Sequence, residues 1–409
     1  PSYMATLDEI HSTRGRARIL FDAISNGGLL ERGFSDSAAK DALDLCLACK
    51  SCKSECPSSV DMAAYRAEYF SHYYASHRRP LAAHFFGRIH EIGRITNRLP
   101  LMPQLANLAM RVGGRAAKRL LGIHQSRALP RFAFPSFRAG IWRHQMRSAA
   151  RFVVNSALGR ADWHAPRGPE VLLFPDTFHS FFEPGGLFWA TLLLEECGFE
   201  VRIPAEDLCC GRPLYDQGML ARAKWRLRRV MNTLGPLVER GVPIVGVEPS
   251  CILTFRDELP ALFPNDPRAA ALAHNSFMLD EFLAREGAQL EFDRLDGRAI
   301  VHGHCHQKAL AGMDSTANLL ARIPGLEVEM LDAGCCGMAG AFGYAREHFE
   351  VSQKIAERAL LPAIAKAPPD ALIVSDGFSC RTQIRQFLPS RQPLPLAGLL
   401  HRALRPRAR

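Results

Sequence analysis

Two stretches of this 409-residue chain repeat each other, and the repeat constrains the fold more than any other feature. Leu208-Cys209-Cys210-Gly211 is echoed by Gly334-Cys335-Cys336-Gly337, and Glu248-Pro249-Ser250-Cys251 by Gly377-Phe378-Ser379-Cys380. The step from Cys210 to Cys251 is 41 residues and that from Cys336 to Cys380 is 44. Around these motifs, short β-rich runs (171–174, 200–203, 242–247, 299–302, 326–331 and 371–374) alternate with helical stretches at 187–197, 219–237 and 351–365. Such alternation predicts α/β architecture with parallel strands. Each single cysteine falls just beyond a strand's C-terminal end, where open α/β sheets bind ligands. Two such lobes facing each other would bring their cysteine loops together.

Cys46-x-x-Cys49-x-x-Cys52-x-x-x-Cys56-Pro57 is the most specific motif. Thiolates two residues apart reach successive corners of a compact cluster, and this run ending in proline has the bacterial-ferredoxin spacing for [4Fe-4S]. Structural zinc is the competing reading, disfavoured because no second C-x-x-C pair stands at a ribbon-like distance. In two-cluster versions the cysteine before the proline serves the other cluster. Cys46, Cys49 and Cys52 then need a fourth ligand, and Cys56 needs three partners. The opening Pro1-Ser2 repeats Pro57-Ser58, so a second motif is expected immediately upstream.

The adjacent pairs Cys209-Cys210 and Cys335-Cys336 read as metal ligands. Neighbouring Cα atoms lie about 3.8 Å apart, below the usual disulfide range. Gly211 and Gly337 permit a tight turn or a close approach behind each pair. Cys305, Cys335, Cys336 and Cys380 make a four-thiolate set, whereas the first copy supplies Cys209, Cys210 and Cys251 only. The position matching Cys305 falls at 176–179, which holds no cysteine. His302, His304 and His306 alternate through the expected strand end and are placed on one face, as ligands, proton relays or hydrogen-bonded structural groups. Cys197, in an apolar helical run, is expected in the core.

Composition narrows the class. Hydrophobic residues make up 47% of the chain and charged residues 22%, which suits globular domains rather than a disordered polyelectrolyte. No apolar run approaches the ~18 residues that cross a bilayer. No Gly-rich phosphate motif of useful specificity points to a nucleotide. The net charge of +10 is local: residues 92–161 contain no Asp or Glu and hold 13 Lys and Arg, which leaves −3 for the rest. This stretch, broken by Pro100, Pro103, Pro130 and Pro135, is expected as short helices and turns forming a connector. Its arginines and interleaved apolar residues suit a weak, salt-sensitive contact with an anionic bilayer, or a solvated face, rather than specific nucleic-acid binding.

These residues resemble the iron–sulfur portion of FAD-linked oxidases: the fused FAD and Fe-S 2-hydroxyacid dehydrogenases of D-2-hydroxyglutarate or D-lactate type, and the iron–sulfur subunits of glycolate oxidase and anaerobic glycerol-3-phosphate dehydrogenase. The cysteine-rich lobes are also similar to those of the cysteine-rich subunit of heterodisulfide reductase. The resemblance rests on Cys46 to Pro57, 1–6 with 11–17, 210–216, 302–308 and 334–340. It implies a helical ferredoxin-like [4Fe-4S] domain at 1–91, a connector at 92–165, and cysteine-rich α/β lobes at 166–290 and 291–409. It further implies an FAD domain upstream or on a separate chain, and electron transfer from flavin to a quinone or another acceptor. The lobes would hold a second iron–sulfur cluster or zinc. The implied location is cytoplasmic or peripheral at the inner face of a membrane. The alternative implied function is that of a cluster-based disulfide or thiol reductase subunit.

Overall fold

A computed structural model of the chain describes residues 1–25, 33–144, 146 and 168–405. Residues 145 and 147–165 of the expected connector, Arg147, Arg151 and Arg160 among them, lie outside the described residues.

Among the described residues up to 120 the elements are helices: α1 (Ser2–Thr6), α2 (Thr13–Ile24), α3 (Ser37–Asp44), α4 (Ser51–Glu55), α5 (Met62–Ser76), α6 (Leu81–Gly87), α7 (Ile89–Thr96) and α8 (Met102–Leu120). The Asp36 side chain caps α3 by accepting from Ala38 N. The helix ends at Asp44, just before the first cysteine of the motif. The chain then passes through left-handed residues, Ala48 at φ 51° and Lys50 at φ 66°, each costing on the order of 1 kcal/mol. α8 corrects the expectation of short, proline-broken helices. Pro103 occupies its first turn, where the missing N–H costs nothing, so 19 residues form one amphipathic helix.

From residue 170 the architecture is α/β with two parallel sheets. The strands β1 (Glu170–Leu173), β2 (Glu200–Arg202), β3 (Ile244–Gly246) and β4 (Ser276–Met278) lie in the order β2-β1-β3-β4. The strands β5 (Gly297–Val301), β6 (Leu326–Met330) and β7 (Leu372–Val374) lie in the order β6-β5-β7. In each sheet the first strand is central and the next two flank it, so the motif repeat extends to topology. β4 was not anticipated, being three residues with no β-branched residue. The helix expected at 351–365 is two, Phe349–Arg358 and Leu360–Lys366. Pro362 has no N–H to donate and crowds the carbonyl of Arg358, which breaks the run.

One core spans both sheets. Val171, Leu173 and Val245 share it with Ala299, Val301 and Val374. Between them pack α9 (Gly185–Glu196) and α10 (Leu396–Ala403). A Cβ on Gly398 would lie 2.9 Å from the Trp189 ring, so the two helices are in close contact there. Cys197, which caps the C-terminus of α9, is buried in this core, as its apolar context predicted.

Candidate metal centre

Apart from the core residue Cys197, every cysteine of the α/β region follows the C-terminal end of a parallel strand, and the structure draws these seven into two chains of contacting thiols. Cys209 meets Cys210, which meets Cys251. Cys305 meets Cys335, Cys335 meets Cys336, and Cys336 meets Cys380. The Gly211 amide donates to Cys209 Sγ at 3.5 Å and the Gly337 amide to Cys335 Sγ at 3.4 Å, the same contact in both copies. Both glycines are left-handed, at φ 79° and 84°. A Cβ on Gly337 would stand 2.3 Å from the Ser352 carbonyl oxygen.

The copies differ where the sequence lacked a cysteine. Cys305 opens a helix capped by the His304 side chain; at the matching place Asp176 caps a helix opened by Thr177. The Thr177 hydroxyl lies 3.8 Å from Cys209 Sγ, so a hydroxyl stands where the other copy has its fourth thiol. The two cysteine loops also face each other. Phe378 N, two residues before Cys380, donates to Glu248 Oε2, three residues before Cys251, at 2.9 Å. Buried Arg381 reaches across to His179 Nε2 at 3.0 Å and Glu183 Oε2 at 2.7 Å.

The histidines depart from expectation. β5 ends at Val301, so His302, His304 and His306 do not continue a pleated strand. His304 Nδ1 instead accepts from His306 N and starts the helix Cys305–Leu310. Burial pushes His302 and His304 down to about 3, so both are neutral. Ligand atoms of His304, Cys305 and His306 lie within 4.8 Å of one another, a spacing one metal ion could bridge.

The helical region presents its motif to this centre. Cys46 and Cys49 lie on the loop after α3, Cys52 lies in α4 and Cys56 ends it. Cys46, Cys49 and Cys52 act on one another, and Cys49 also faces Cys305 and Cys335. Cys56 is set apart. Amides of Val60, Ser58 and Ser59 surround it and hold its thiol below the usual range, and no thiol is among those groups. The spacing had already separated Cys56 from the other three.

Several charged residues around this centre were not singled out from sequence. Buried Arg16 donates to the Ala42 carbonyl at 2.8 Å and to Ser2 Oγ at 2.7 Å, and its charge faces Cys46, Cys49 and Cys52. Lys50, 1% exposed, lies 2.7 Å from Asp61, 2.8 Å from Asp257 and 2.9 Å from Glu258. Arg212 pairs with Glu258 at 2.5 Å and Asp216 at 2.9 Å, and donates to the Ala48 carbonyl in the cysteine loop at 3.2 Å. This ionic web fastens the loop to the first sheet's helices. No run of charge in the sequence marks it, because its members come from four separate segments.

The thiol chemistry fits a metal or an iron–sulfur cluster. The hydrogen bond with Cys335 raises the Cys305 thiol well above its ordinary value, and burial adds to this. Cys209 is raised in the same way, by Cys210 and then by burial. The hydrogen bond with Cys210 lowers Cys251, yet burial together with the charges of Asp176, Glu248 and Cys209 outweighs it and pushes Cys251 up to about 12. Crowded buried thiols therefore stay protonated unless a cation displaces their protons, which is the chemistry of thiolate–metal sites.

Beside the second thiol set lies a cavity of about 320 Å³, lined by Cys46, Cys305, Cys335 and Cys336 together with aromatic and aliphatic residues. Among the described residues, no helix is long and apolar enough to cross a membrane.

Comparison with known proteins agrees with this geometry. The cysteine-rich (CCG) domain family matches residues 190–256 and 299–385, one match in each sheet region. The chain is 25% identical to D-2-hydroxyglutarate dehydrogenase of Pantoea ananatis, over 98% of this chain and 41% of that protein. It is 28% identical to a subunit of anaerobic glycerol-3-phosphate dehydrogenase of Escherichia coli, over 69% of this chain and 67% of that protein. It is 32% identical to lactate utilization protein A of Macrococcus caseolyticus, over 42% of this chain and 72% of that protein. The chain thus spans about two fifths of the length of the D-2-hydroxyglutarate dehydrogenases it matches. With two cysteine-rich domains carried on the strand ends of two like sheets, the chain belongs to the family formed by the iron–sulfur portions of FAD-linked oxidases.

Proposed function

We propose that this chain is the electron-transfer module of a flavin-linked 2-hydroxyacid dehydrogenase. Cys46, Cys49 and Cys52 would hold a [4Fe-4S] cluster, with Cys56 serving a second one. Cys305, Cys335, Cys336 and Cys380 would hold a further iron–sulfur cluster, and Cys209, Cys210 and Cys251 either another cluster or zinc. The division of labour follows the boundaries 1–91, 92–165, 166–290 and 291–409, the first being a ferredoxin-like domain and the last two being cysteine-rich lobes. Bound clusters supply one-electron redox chemistry, which lets a flavin's electron pair leave singly.

The observation that carries this reading is the placement of Cys49 against Cys305 and Cys335. Residues of the ferredoxin-type motif and of the second thiol set share one buried wall, so electrons need no diffusing carrier between them. The charge of Arg16 beside Cys46, Cys49 and Cys52 favours the more negative, reduced state there. Anaerobic purification with iron and acid-labile sulfide analysis, then EPR of the reduced protein, tests the reading. Zinc without iron or sulfide would sink it.

The electron donor in this reading is an FAD domain, and the acceptor is a quinone or a similar carrier at the inner face of a membrane. α8 supports the membrane contact: Leu101, Leu105, Leu108 and Val112 are exposed at or along it, interleaved with Arg98, Arg111, Arg115 and Lys118. Not all of the basic stretch is free for this role. Arg127 is buried, with Nε donating to Gly343 O at 2.5 Å, and Arg138 pairs with Asp207 at 2.6 Å. Flotation with anionic liposomes at low salt, lost at high salt, is the expected behaviour; equal flotation with neutral liposomes would refute an electrostatic contact. Cluster-based thiol or disulfide reduction is the competing function, favoured by the cavity's access to Cys305 and Cys335. Absence of disulfide turnover with a chemical reductant would remove it.

A further inference from the structure

The helical region touches the first thiol set as well as the second, through α7. Gly93 fixes the seat of that helix: a Cβ there would stand 2.4 Å from the Phe181 ring, so the missing side chain lets α7 press onto the segment Thr177–Phe181. His90, three residues earlier, shares the same face. Its ring meets Phe181 edge-on with centroids 5.7 Å apart, and its Nδ1 lies 3.0 Å from the Thr177 hydroxyl oxygen. That hydroxyl also reaches Cys209 Sγ, at 3.8 Å. His90, Thr177 and Cys209 are 3%, 2% and 4% exposed, so water does not compete along this line.

One hydroxyl proton decides how the three connect. If Thr177 donates it to His90 Nδ1, the ring proton sits on Nε2, which is buried with no hydrogen-bond partner among the described residues. Cys209 then receives nothing from Thr177. If His90 carries its proton on Nδ1, it donates to the hydroxyl oxygen, and the hydroxyl donates to sulfur. This second arrangement leaves only a bare ring nitrogen unpaired, and buried acceptors go unsatisfied more often than buried N–H groups. His90 is neutral, as either arrangement requires, because burial and the charge of Arg226 hold it down to about 4. Arg226 is in turn paired with Glu91, the next residue of α7. A metal-bound Cys209 is a thiolate, and hydrogen bonds to ionised acceptors are roughly twice as strong as neutral ones, which selects the arrangement that donates to sulfur. The second thiol set has no need of it, since the thiol of Cys305 stands at the place of Thr177.

We propose that His90 and Thr177 are positioning residues of the first thiol set, joined in a relay from His90 Nδ1–H through the Thr177 hydroxyl to Cys209 Sγ that secures the metal-bound thiolate. The inference deepens the proposed function and rests on one part of it, that Cys209, Cys210 and Cys251 hold a metal, whether in a cluster or as zinc. It does not depend on electron transfer.

The test follows metal release from the anaerobically purified chain to coloured chelators, bathophenanthroline disulfonate for iron and pyridylazoresorcinol for zinc, with sulfide measured on every sample. The release phase that Cys210→Ser lacks belongs to the first thiol set. Thr177→Val, which keeps the shape and removes the hydroxyl, speeds that phase about tenfold, the lower end of what losing an outer partner costs a metal site; the other phases keep their rates. Thr177→Ser restores the parent rate, and Thr177→Ala repeats the loss without a second methyl to accommodate. His90→Leu speeds the same phase, but adds nothing in the Thr177→Val background, because His90 acts only through the hydroxyl. A parent rate in both Thr177→Val and Thr177→Ala overturns the relay, and so does a His90→Leu effect of equal size with and without the hydroxyl, which marks packing alone. If Cys210→Ser lacks no phase, the first set holds no metal and the inference falls, while iron and sulfide in the remaining phases leave electron transfer standing. A zinc phase that responds as described, in a chain without iron or sulfide, upholds the relay and sinks the electron-transfer reading.

Discussion

Replacing Lys50 by Met is the sharpest probe of how the cysteine loop is held. Methionine keeps most of the stem's volume, and the left-handed backbone strain at this position is unchanged. What is lost is a buried ammonium within 3 Å of Asp61, Asp257 and Glu258. Removing one partner from a buried ionic cluster costs about 3–5 kcal/mol, because the opposite charge remains unpaired. Here the low end applies: Asp257 keeps Lys53 and Glu258 keeps Arg212. The expected loss is about 3 kcal/mol, read as the shift of the urea transition by near-UV circular dichroism. Glu258→Gln in the same background removes a charge left in excess, so the double variant loses less than the two single losses added, by about 1 kcal/mol or more. A loss under about 1 kcal/mol in Lys50→Met, or strict additivity in the cycle, would refute the claim that this web fastens the loop.

Further outcomes follow from the same geometry. Gly337→Ala places a Cβ 2.3 Å from the Ser352 carbonyl oxygen at φ 84°, whereas in Gly211→Ala the nearest atom, the Ala223 carbonyl oxygen, is 3.2 Å away; thermal melts should show Gly337→Ala losing more than about 2 kcal/mol and Gly211→Ala losing less. Cys336→Ser should cost the purified protein metal held by the second thiol set, while Cys197→Ala leaves metal content unchanged and costs about 1 kcal/mol; metal analysis showing equal losses would contradict the separation of ligand from core cysteine. Asp280 is buried, and burial pushes its carboxyl up to about 7 despite the hydrogen bond from Thr316. Because its folded value lies above the unfolded one, its stabilisation is complete below about pH 4 and is lost as pH rises through about 7. Asp280→Asn should flatten that part of the stability profile, by an amount on the order of 4 kcal/mol, and an unchanged slope would show that the carboxyl does not titrate there.

Much of the site was legible because its chemistry is written in local spacing. C-x-x-C-x-x-C, two Cys-Cys-Gly turns and a single cysteine after a strand are short-range signals, and the α/β alternation between them is a matter of period. The missing fourth cysteine near Asp176 was equally local. The misplaced features were those in which a short segment had two ways to satisfy its backbone. His302 to His306 reads as a pleat by alternation, but His304 spends its ring nitrogen on a helix cap. Met102 to Leu120 looks broken by Pro103, yet a proline in the first turn obeys the helix. β4 is three residues that become a strand only because β3 supplies the partner.

Sequence alone therefore determined the inventory: which thiols are paired or spaced as ligands are, that those of the α/β region come in two unequal copies, and that an acid-free basic stretch lies between the motif and those copies. The tertiary structure decided who meets whom. Cys49 lies three residues from both Cys46 and Cys52, yet its facing Cys305 and Cys335 depends on closure of the chain over some 250 residues. The Lys50 web and Arg16 behind the motif arise the same way. Coulombic pairing and hydrogen-bond satisfaction act through space, so no local pattern announces them; periodicity and ligand spacing act along the chain, and these the sequence displays directly.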